Sequence, residues 1–319
     1  MGGLNVSVQP VFARIAIIGI GLIGSSIARA SLANGAAGAV RLFDVDTDVR
    51  DEARRLDLGE VFDTAEDAAR NANCVILCVP VGRLGEATAA VAPALRPGAI
   101  LSDVGSVKLE ASRAMVEAAP DGIHVIPAHP IAGTEQSGPA SGFASLFDRA
   151  WQILCPLEDQ TEAYLEAVAR LEAFWTHLGA RVEIMPAARH DRVLAITSHL
   201  PHLIAYNIVS TAYDMESVDE GEVVKYSAGG FRDFTRIAAS DPIMWRDVFL
   251  NNREAVLECL GRFSEDLAAL QRAIRHGDGA LLIREFERAR GIRKAILDAG
   301  LDSAKVNFGR DRRPPENRD

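Results

Sequence analysis

The feature that most constrains this chain is a short apolar run followed by a glycine-rich turn, a helical stretch and a second β-prone run. Ile15–Ile18 is wholly apolar, as a fully buried parallel strand requires. It leads into Gly19-Ile20-Gly21-Leu22-Ile23-Gly24, and residues 25–32 then have the pattern of a helix. The second run, 40–43, is followed by Asp44, which lies twenty residues after the last glycine. This order and spacing predict a βαβ unit.

The glycine motif has the composition of a dinucleotide-binding loop. Gly19 permits the tight turn, Gly21 lets the backbone approach a pyrophosphate, and Gly24 lets the helix pack closely on the strand. The free N–H groups of the helix N-terminus attract phosphate, and Asp44 is placed to accept a hydrogen bond from a ribose 2′-hydroxyl. The two residues after Asp44 include no arginine for a 2′-phosphate, so we expect NAD. The alternative is a βαβ turn that binds nothing. The expected cofactor contacts are Gly19, Gly21, Leu22, Ile23, Gly24, Asp44, Val79 and Pro80.

Strand-like and helical stretches alternate from Arg14 to about Pro186. This alternation predicts an α/β N-terminal domain, 1–187, of the doubly wound Rossmann type with a mostly parallel sheet. Ligands of such sheets bind beyond the carboxyl ends of the strands, which directs attention to loops 80–83, 104–108 and 129–138. The strand candidates are 14–19, 40–44, 74–79, 99–103, 124–128, 151–155 and 181–185. The helix candidates are 49–57, 64–71, 83–94, 108–118 and 160–178.

The strand signals stop after Pro186, and the remainder predicts an all-α C-terminal domain over 188–308. We expect one helix over 188–213, kinked by Pro201, and a second around Gly229–Gly230. A long helix is expected from Asp241-Pro242 to about His276, and a last one over 279–298. Apolar residues on several sides of these helices predict a dimerisation surface and hence a homodimer. The charged, proline-rich residues 309–319 are expected to form a disordered tail.

Composition excludes several classes of function. The 319 residues carry 34 Lys and Arg against 44 Asp and Glu, a net charge of −10, so no basic field favours nucleic acid or an anionic membrane. The four cysteines form no CxxC pair, and no metal site is expected. No uninterrupted apolar run reaches the ~18 residues of a membrane span, and the N-terminus lacks a signal peptide. We therefore expect a cytoplasmic protein.

Two polar residues follow successive strand candidates and suggest acid–base chemistry. Ser106 lies in the loop after 99–103, and His129 lies at the end of 124–128. Neutral imidazole suits the transfer of a hydroxyl proton during hydride transfer, although an isolated histidine is more often structural. His199 and His202 are three residues apart and share a helix face. Their position on the first helix of the second domain suggests contact with a substrate more than binding of a metal. Arginine suits carboxylate recognition, but spacing alone leaves Arg232, Arg236 and Arg246 as open candidates.

Five motifs together resemble the prephenate/arogenate dehydrogenase family. They are GIGLIGSS, DVGSVK, HPIAGTEQSGP, SHLPH and GGFRDFTRIAASDPIMWRD, and they occur in family order from about Arg14 to about Ile274. The family oxidises the ring hydroxyl of prephenate by hydride transfer to NAD(P), with loss of the ring carboxylate as CO₂. The resemblance thus implies NAD-dependent conversion of prephenate to 4-hydroxyphenylpyruvate in tyrosine biosynthesis. Prephenate and arogenate differ in one side-chain group, so an arogenate or dual-specificity cyclohexadienyl dehydrogenase remains an alternative.

The resemblance also implies roles for individual residues. His129 would accept a hydrogen bond from the substrate hydroxyl, and Ser106 would orient His129. Arg236 would bind the ring carboxylate, while His199 and His202 would face the substrate side chain. The remaining substrate contacts implied are Thr134, the polar residues Glu135 and Asp233 at the mouth of the site, and Trp245, which would shape the pocket across the dimer.

Two further hypotheses about the function of this chain come from other classes of protein. β-Hydroxyacid dehydrogenases and imine reductases also join a Rossmann domain to helices, but the hydroxyacid enzymes use a helix lysine where this chain has His199 and His202. A nucleotide-sensing module without activity would have lost the site, whereas Ser106, His129 and Arg236 are all present. The sequence therefore favours a dehydrogenase over both.

Overall fold

A parallel sheet of six strands is the central element of the computed structural model, which describes residues 9–134, 136–158, 161–216 and 229–298. The strand order is β3-β2-β1-β4-β5-β6, so the order reverses between β1 and β4. A crevice for ligands forms beyond the carboxyl ends of strands at such a point. The predicted mostly parallel, doubly wound sheet is confirmed. The strands are β1 Ile15–Ile18, β2 Val40–Phe43, β3 Glu60–Val61, β4 Cys74–Leu77, β5 Ile100–Asp103 and β6 His124–Ile126.

Helices cover both faces of this sheet because successive strand residues point to opposite sides. Ile15 and Ile17 of β1 belong to one apolar core, whereas Ala16 and Ile18 belong to the other. α1 and α6 contribute to the first core, and α3, α4 and α5 contribute to the second. The helices of this part are α1 Leu22–Asn34, α2 Thr47–Arg55, α3 Ala65–Ala69, α4 Leu84–Val91, α5 Leu109–Ala118 and α6 Glu162–His177.

The predicted strand 124–128 is in fact two strands in two sheets. β6 ends at Ile126, and β7, Ala128–Ile131, forms a second sheet with β8, Trp151–Leu154, and β9, Arg181–Ile184. β7 runs antiparallel to β8. Pro127 separates β6 from β7 and has no N–H for the ladder, which explains the interruption. The short strand β3 is the other element that the sequence pattern did not predict.

The chain after Pro186 is helical throughout its described residues, as predicted. The first predicted helix is divided into α7, a π-helical turn at Ala195–His199, and α8. Pro201 lacks an N–H and its ring crowds the carbonyl four residues earlier, so the distortion precedes the proline. The helices of this part are α7 Ala187–Leu194, α8 Leu200–Glu216, α9 Gly229–Thr235, α10 Pro242–Asn251, α11 Arg253–His276 and α12 Gly279–Asp298.

The predicted helix from Asp241 to His276 is wrong in one respect, because it breaks at Asn252. The backbone of Asn252 has φ −109° and ψ 35°, outside the helical region, and separates α10 from α11. The Asn252 side chain instead donates to the backbone carbonyl of Asp191, at 2.9 Å, and lies 3.0 Å from Nδ1 of His199. The break therefore brings an amide into the polar interior described below.

One helical stretch, Ala187–Met215, is long and apolar enough to cross a membrane by length and composition alone. A helix packed in a protein interior meets the same criterion. His190, Asp191 and His199 of this stretch are buried and form hydrogen bonds with groups on other elements. These polar contacts lie inside the protein, and length and composition alone are weak evidence for a membrane span.

The chain divides into two compact units, Met1–Val256 and Leu257–Asp319. Every side chain discussed in the candidate site lies in the first unit. The predicted boundary between the two domains at residue 187 stays a prediction. The predicted disordered tail, 309–319, lies outside the described residues.

Candidate active site

The glycine-rich loop joins β1 to α1 with tight contacts at two of its three glycines. Gly19 has φ +99°, and a Cβ added there would lie 2.3 Å from the carbonyl oxygen of Cys78. A Cβ at Gly24 would lie 2.0 Å from the carbonyl oxygen of Gly19. A Cβ at Gly21 would meet no atom within 4 Å, and no side chain caps the N-terminus of α1. The loop thus offers open space and free N–H groups where a pyrophosphate would bind.

Asp44, at the end of β2, holds this loop in place. Its Oδ2 accepts a hydrogen bond from the backbone N–H of Ile20 at 2.7 Å, and its Oδ1 accepts one from Asp46 at 3.0 Å. A carboxylate has about four acceptor positions, so hydrogen bonding to a ribose is still available. The sequence predicted the ribose contact and missed the contact with Ile20.

The expectation that no arginine lies beside Asp44 is wrong. Arg50, in α2, donates from Nη1 to the carbonyl oxygens of Asp44 at 2.7 Å and Val45 at 3.2 Å. Its Nη2 donates to Thr47 at 3.1 Å. The first turn of α2 brings Arg50 back to the end of β2, whereas the sequence argument considered only adjacent residues. Because Arg50 already donates to these protein oxygens, it is not an uncommitted site for a 2′-phosphate.

The other predicted cofactor residues lie at the same edge of the sheet. Leu22 and Ile23 open α1, and Val79 and Pro80 follow β4, the neighbour of β1. Val79 approaches Gly19, since its Cγ1 would lie 3.4 Å from a Cβ added there. The structure therefore brings the predicted cofactor residues together around the carboxyl ends of β1, β2 and β4.

His129, in β7, forms one end of a buried hydrogen-bond chain. Its Nδ1 lies 2.8 Å from Nε2 of His190, and Nδ1 of His190 lies 2.8 Å from Oδ1 of Asp191. Asp191 also accepts hydrogen bonds from the backbone N–H groups of Lys108, at 2.8 Å, and Leu109, at 2.9 Å, at the start of α5. The sequence argument missed His190 and Asp191. Their only signal was an adjacent His-Asp pair near the start of a helix.

A buried ion pair supports the backbone around His129. Nζ of Lys108 donates to Oδ2 of Asp103 at 2.5 Å and to the carbonyl oxygen of Ala128 at 2.7 Å. Both side chains of the pair are 0% exposed. Asp103 also accepts from the backbone N–H of Ala128 at 3.1 Å. These bonds tie the residue before His129 to the carboxyl end of β5, next to the cofactor edge of the sheet.

The surroundings of His129 keep its imidazole neutral. Burial lowers the pKa of His129 well below its ordinary value, and the positive charge of Lys108 lowers it further, as would His190 and His199 when protonated. Burial also lowers the pKa of His190, with Asp191 acting in the opposite direction. A neutral imidazole can accept a proton, as a general base requires.

Ser106 lies half-buried in the loop between β5 and α5. Among the described residues its hydroxyl makes no hydrogen bond to His129. The contact that orients the His129 ring comes from His190 instead. The predicted orienting role of Ser106 stays a prediction.

His199, His202 and Trp245 lie together. The rings of His202 and Trp245 stack with centroids 3.7 Å apart, and the His199 ring lies 6.0 Å from Trp245. Burial lowers the pKa of His199 to about 4 and also lowers the pKa of His202. Nδ1 of His202 donates to the carbonyl oxygen of Ser198 at 2.9 Å, which leaves Nε2 as an acceptor in the neutral ring. Trp245 thus contacts His202 of its own chain, and its predicted part in a pocket across the dimer stays a prediction.

The candidate arginines differ in their surroundings. The charge of Arg236 lowers the pKa of His202, so this guanidinium acts on that histidine. Arg246 makes two hydrogen bonds to Asp247, at 2.8 and 2.7 Å. Arg232 and the predicted mouth residue Asp233 are exposed on α9. Among the three arginines, Arg236 is the one whose charge acts on a predicted substrate contact.

Thr134 and Glu135 belong to the loop after β7. The Thr134 hydroxyl accepts from the backbone N–H of Gln136 at 3.2 Å. Glu135 lies outside the described residues. No cluster of three or more His, Cys, Asp or Glu side chains suited to a metal occurs within the described ranges.

Comparison with known proteins identifies relatives along nearly the whole chain. The family model "Prephenate dehydrogenase, nucleotide-binding domain" matches residues 27–184, and "Prephenate dehydrogenase, dimerization domain" matches 186–288. A cyclohexadienyl dehydrogenase of Zymomonas mobilis is 45% identical over 287 residues, covering 90% of this chain and 97% of that protein. A prephenate dehydrogenase of Bacillus subtilis is 30% identical over 290 residues, covering 88% of this chain and 76% of that protein.

The fold also matches solved structures. The crystal structure of prephenate dehydrogenase from A. aeolicus in complex with hydroxyphenyl propionate and NAD+ superposes with a TM-score of 0.81 at 31% identity. The match covers 92% of this chain and 99% of that one. A Synechocystis arogenate dehydrogenase has a TM-score of 0.72 at 25% identity, with 88% of this chain and 99% of that chain covered.

Proposed function

Because this chain belongs to the prephenate dehydrogenase family, we propose that it catalyses the NAD-dependent oxidative decarboxylation of prephenate to 4-hydroxyphenylpyruvate in tyrosine biosynthesis. The observation that carries the proposal is a neutral, half-buried His129 whose Nδ1 is hydrogen-bonded to His190. The backbone before it is anchored at Ala128 to the end of β5, beside the edge of the sheet where the cofactor loop lies. A base next to a nicotinamide site suits the oxidation of an alcohol.

The residues of the loop suit NAD. Gly21 leaves room for a pyrophosphate, the N-terminus of α1 has free N–H groups, and Asp44 can accept from a ribose hydroxyl. A 2′-phosphate would bring negative charge against Asp44, and Arg50 is already hydrogen-bonded to protein oxygens. When bound, NAD would accept a hydride from the ring carbon that carries the hydroxyl.

His129 would supply the proton acceptor for this oxidation. It would accept the hydroxyl proton at Nε2 as the hydride leaves the ring carbon that carries the hydroxyl. The ring carboxylate would leave as CO₂, and its bonding electron pair would pass through the ring to the oxygen as the ring becomes aromatic. The oxygen would then take the proton back from His129, which gives the phenol. Because aromatisation drives the reaction, the protein has only to position the ring and accept one proton.

Arg236, His199 and His202 would hold the substrate. Arg236 has the charge to bind the ring carboxylate. His202 presents Nε2 as an acceptor and is fixed by its stacking on Trp245. Thr134, Glu135 and Asp233 would complete the substrate site, and Ser106 would act beside His129.

A dual specificity for prephenate and arogenate is the second candidate. It is favoured by the 45% identity with a protein named cyclohexadienyl dehydrogenase. The two substrates differ in a keto or amino group of the side chain, which in this proposal faces His199 and His202.

Initial rates of NADH formation test the proposal directly. The purified protein is mixed with NAD and either prephenate or arogenate, and absorbance of the reduced cofactor is followed. We expect turnover of prephenate, and the ratio of the two kcat/KM values decides between the candidates. With NADP in place of NAD, repulsion from Asp44 should lower kcat/KM by roughly ten- to a hundredfold. Absence of turnover with both substrates would contradict the proposal.

We further propose a homodimer in the cytoplasm. α11 and α12 expose large apolar side chains, including Leu257, Leu267, Ile274, Ile283, Phe286 and Ile292. Exposed apolar side chains in this number favour burial against a second copy. The name of the matched C-terminal family, a dimerization domain, supports the same assembly.

A further inference from the structure

We propose that Asp191 and His190 fix the tautomer of His129, so that its Nδ1 carries the proton and its Nε2 is the free base. The chain runs from the carboxylate of Asp191 through both ring nitrogens of His190 to Nδ1 of His129, with two contacts of 2.8 Å. His190 and Asp191 are positioning residues here, because they act through His129. That this tautomer lets His129 act as a base rests on the proposed function, whereas the assignment of the tautomer does not.

The direction of the chain is set at the Asp191 end. Its two oxygens accept backbone N–H bonds from Lys108 and Leu109, at 2.8 and 2.9 Å, at the positive N-terminal end of α5. An ionised carboxylate only accepts hydrogen bonds. Nδ1 of His190, 2.8 Å from Oδ1 of Asp191, must therefore carry a proton and donate it to that contact.

The second link follows from the chemistry of a neutral imidazole. His190 is fully buried, and burial keeps it in the neutral form. A neutral ring has one donor and one acceptor nitrogen, so Nε2 of His190 is an acceptor. Nδ1 of His129, at 2.8 Å, must then be the donor. The remaining nitrogen of His129, Nε2, keeps its lone pair and makes no hydrogen bond with the described residues.

The reverse direction would disable the base. If Asp191 presented a donor, His190 would place its proton on Nε2 and donate to His129. Nδ1 of His129 would then accept, and Nε2 would carry the only ring proton. Such a histidine can donate to the substrate hydroxyl but cannot take its proton. Asp191 thus determines, from two residues away along the chain of hydrogen bonds, whether His129 can act as a base.

Nitrogen NMR of the parent protein tests the tautomer without reference to activity. The protein is labelled with ¹⁵N-histidine, and its two-bond ring correlations are recorded at pH 7. The His129 signals are identified by their loss in His129→Asn. We expect Nδ1 of His129 to have the shift of a protonated nitrogen and Nε2 that of an unprotonated one. A proton on Nε2 of His129 would overturn the proposal whatever the enzyme turns out to catalyse.

Asp191→Asn tests the cause. The new amide can donate to His190, so the His129 proton should move to Nε2, and kcat should fall by about 10²- to 10⁴-fold with NAD affinity unchanged. Ser112→Ala is the matched control, because Ser112 donates to the Lys108 carbonyl in the same first turn of α5 and makes no hydrogen bond to His190 among the described residues. It should keep both the parent tautomer and kcat.

The outcomes separate the two proposals. If folded Asp191→Asn keeps the proton of His129 on Nδ1, the proposal is overturned. If Asp191→Asn does not fold, the parent spectrum decides. If the parent shows the expected tautomer but oxidises neither prephenate nor arogenate, the tautomer proposal stands and the proposed function fails.

Discussion

At the scale of single residues, the site is built from histidines that are kept neutral by burial. His129, His190, His199 and His202 all have a lowered pKa, and desolvation is the largest cause for each. A buried imidazole loses its charge because the protein interior solvates a cation poorly. The cluster is thus ready to accept protons and hydrogen bonds at neutral pH.

We predict that His129→Asn lowers kcat by about 10²- to 10⁴-fold, because asparagine can bond the hydroxyl but cannot take its proton. In the parent, kcat should stay constant as the pH falls through ~6.5 and decline only at lower pH, where the lowered pKa of His129 lies. The measurement is kcat against pH for both proteins, with NAD affinity as the control. An identical acidic limb in the two profiles would place the titrating group at His199 or His202.

We predict that Arg236→Ala raises the KM for prephenate with little effect on NAD affinity. Removing one partner of a desolvated charge pair costs about 2–5 kcal/mol, which corresponds to roughly 30-fold or more in affinity. Arg232→Ala, on exposed α9, is the matched control. A KM within threefold of the parent for Arg236→Ala, together with a large increase for Arg232→Ala, would mean that the carboxylate binds elsewhere.

At the scale of elements, the glycines of the β1–α1 connection have two different roles. One allows the helix to pack on the strand, and another leaves space for the cofactor. Gly24 faces the carbonyl oxygen of Gly19, whereas the position of a Cβ at Gly21 is open. The first contact brings the helix close to the strand, and the open position leaves the backbone accessible. The two glycines should therefore respond to the same substitution in different ways.

We predict that Gly24→Ala lowers the free energy of unfolding by about 1–3 kcal/mol, because the added methyl overlaps backbone that cannot move freely. Gly21→Ala should leave thermal stability near that of the parent and weaken NAD binding by about tenfold or more, at least ~1.4 kcal/mol. Thermal melting and calorimetric titration with NAD measure the two effects. Equal loss of stability in both variants would argue against this division of roles.

At the scale of the whole molecule, buried histidines make stability depend on pH. The unfolded chain binds a proton at each histidine near pH 6.5, but folded His199 does so only near about 4. Between these values the unfolded state binds more protons, so stability falls as the pH is lowered. Below the pKa of folded His199, this loss of stability is complete.

We predict that His199 alone removes about 3 kcal/mol of stability between pH 6.5 and 4, at ~1.4 kcal/mol per pKa unit. Urea unfolding at fixed protein concentration measures this loss. His199→Gln should be less stable than the parent at neutral pH but should show a shallower decline on acidification. A parallel decline in both proteins would place the titration on other groups.

We predict that Ile283→Asp with Phe286→Asp weakens the dimer, because both apolar side chains are exposed on α12. Burying the introduced carboxylates would cost several kcal/mol. Light scattering after size exclusion should show a dimer for the parent and a shift to monomer for the variant. Arg288→Asp on the same helix is the control for surface charge. A parent that is monomeric at micromolar concentration would contradict the dimer.

The sequence by itself determined the local elements. The βαβ unit from Ile15 to Asp44, six of the seven strand candidates and the change to helices after Pro186 could be predicted, because periodicity and glycine placement act over a few residues. The seventh candidate, 124–128, divides at Pro127 into strands of two different sheets. Family motifs extended this to the chemistry, and the membership they implied is confirmed. The sequence did not predict strand β3, which is too short to show an alternating pattern. It also did not predict the break between α10 and α11 at Asn252.

Only the tertiary structure decided which side chains meet. His190 contacts His129 across 61 residues of sequence, and Lys108 and Leu109 bind Asp191 across 83 and 82. The second sheet, formed after Pro127, carries His129 toward α7, and the break at Asn252 turns an amide toward His199. None of these pairs has a periodic signature, because the contacts depend on how separate elements pack. The sequence thus supplies the histidine that we propose as the base, while the packing of β7, α5 and α7 determines the hydrogen-bond partners around it.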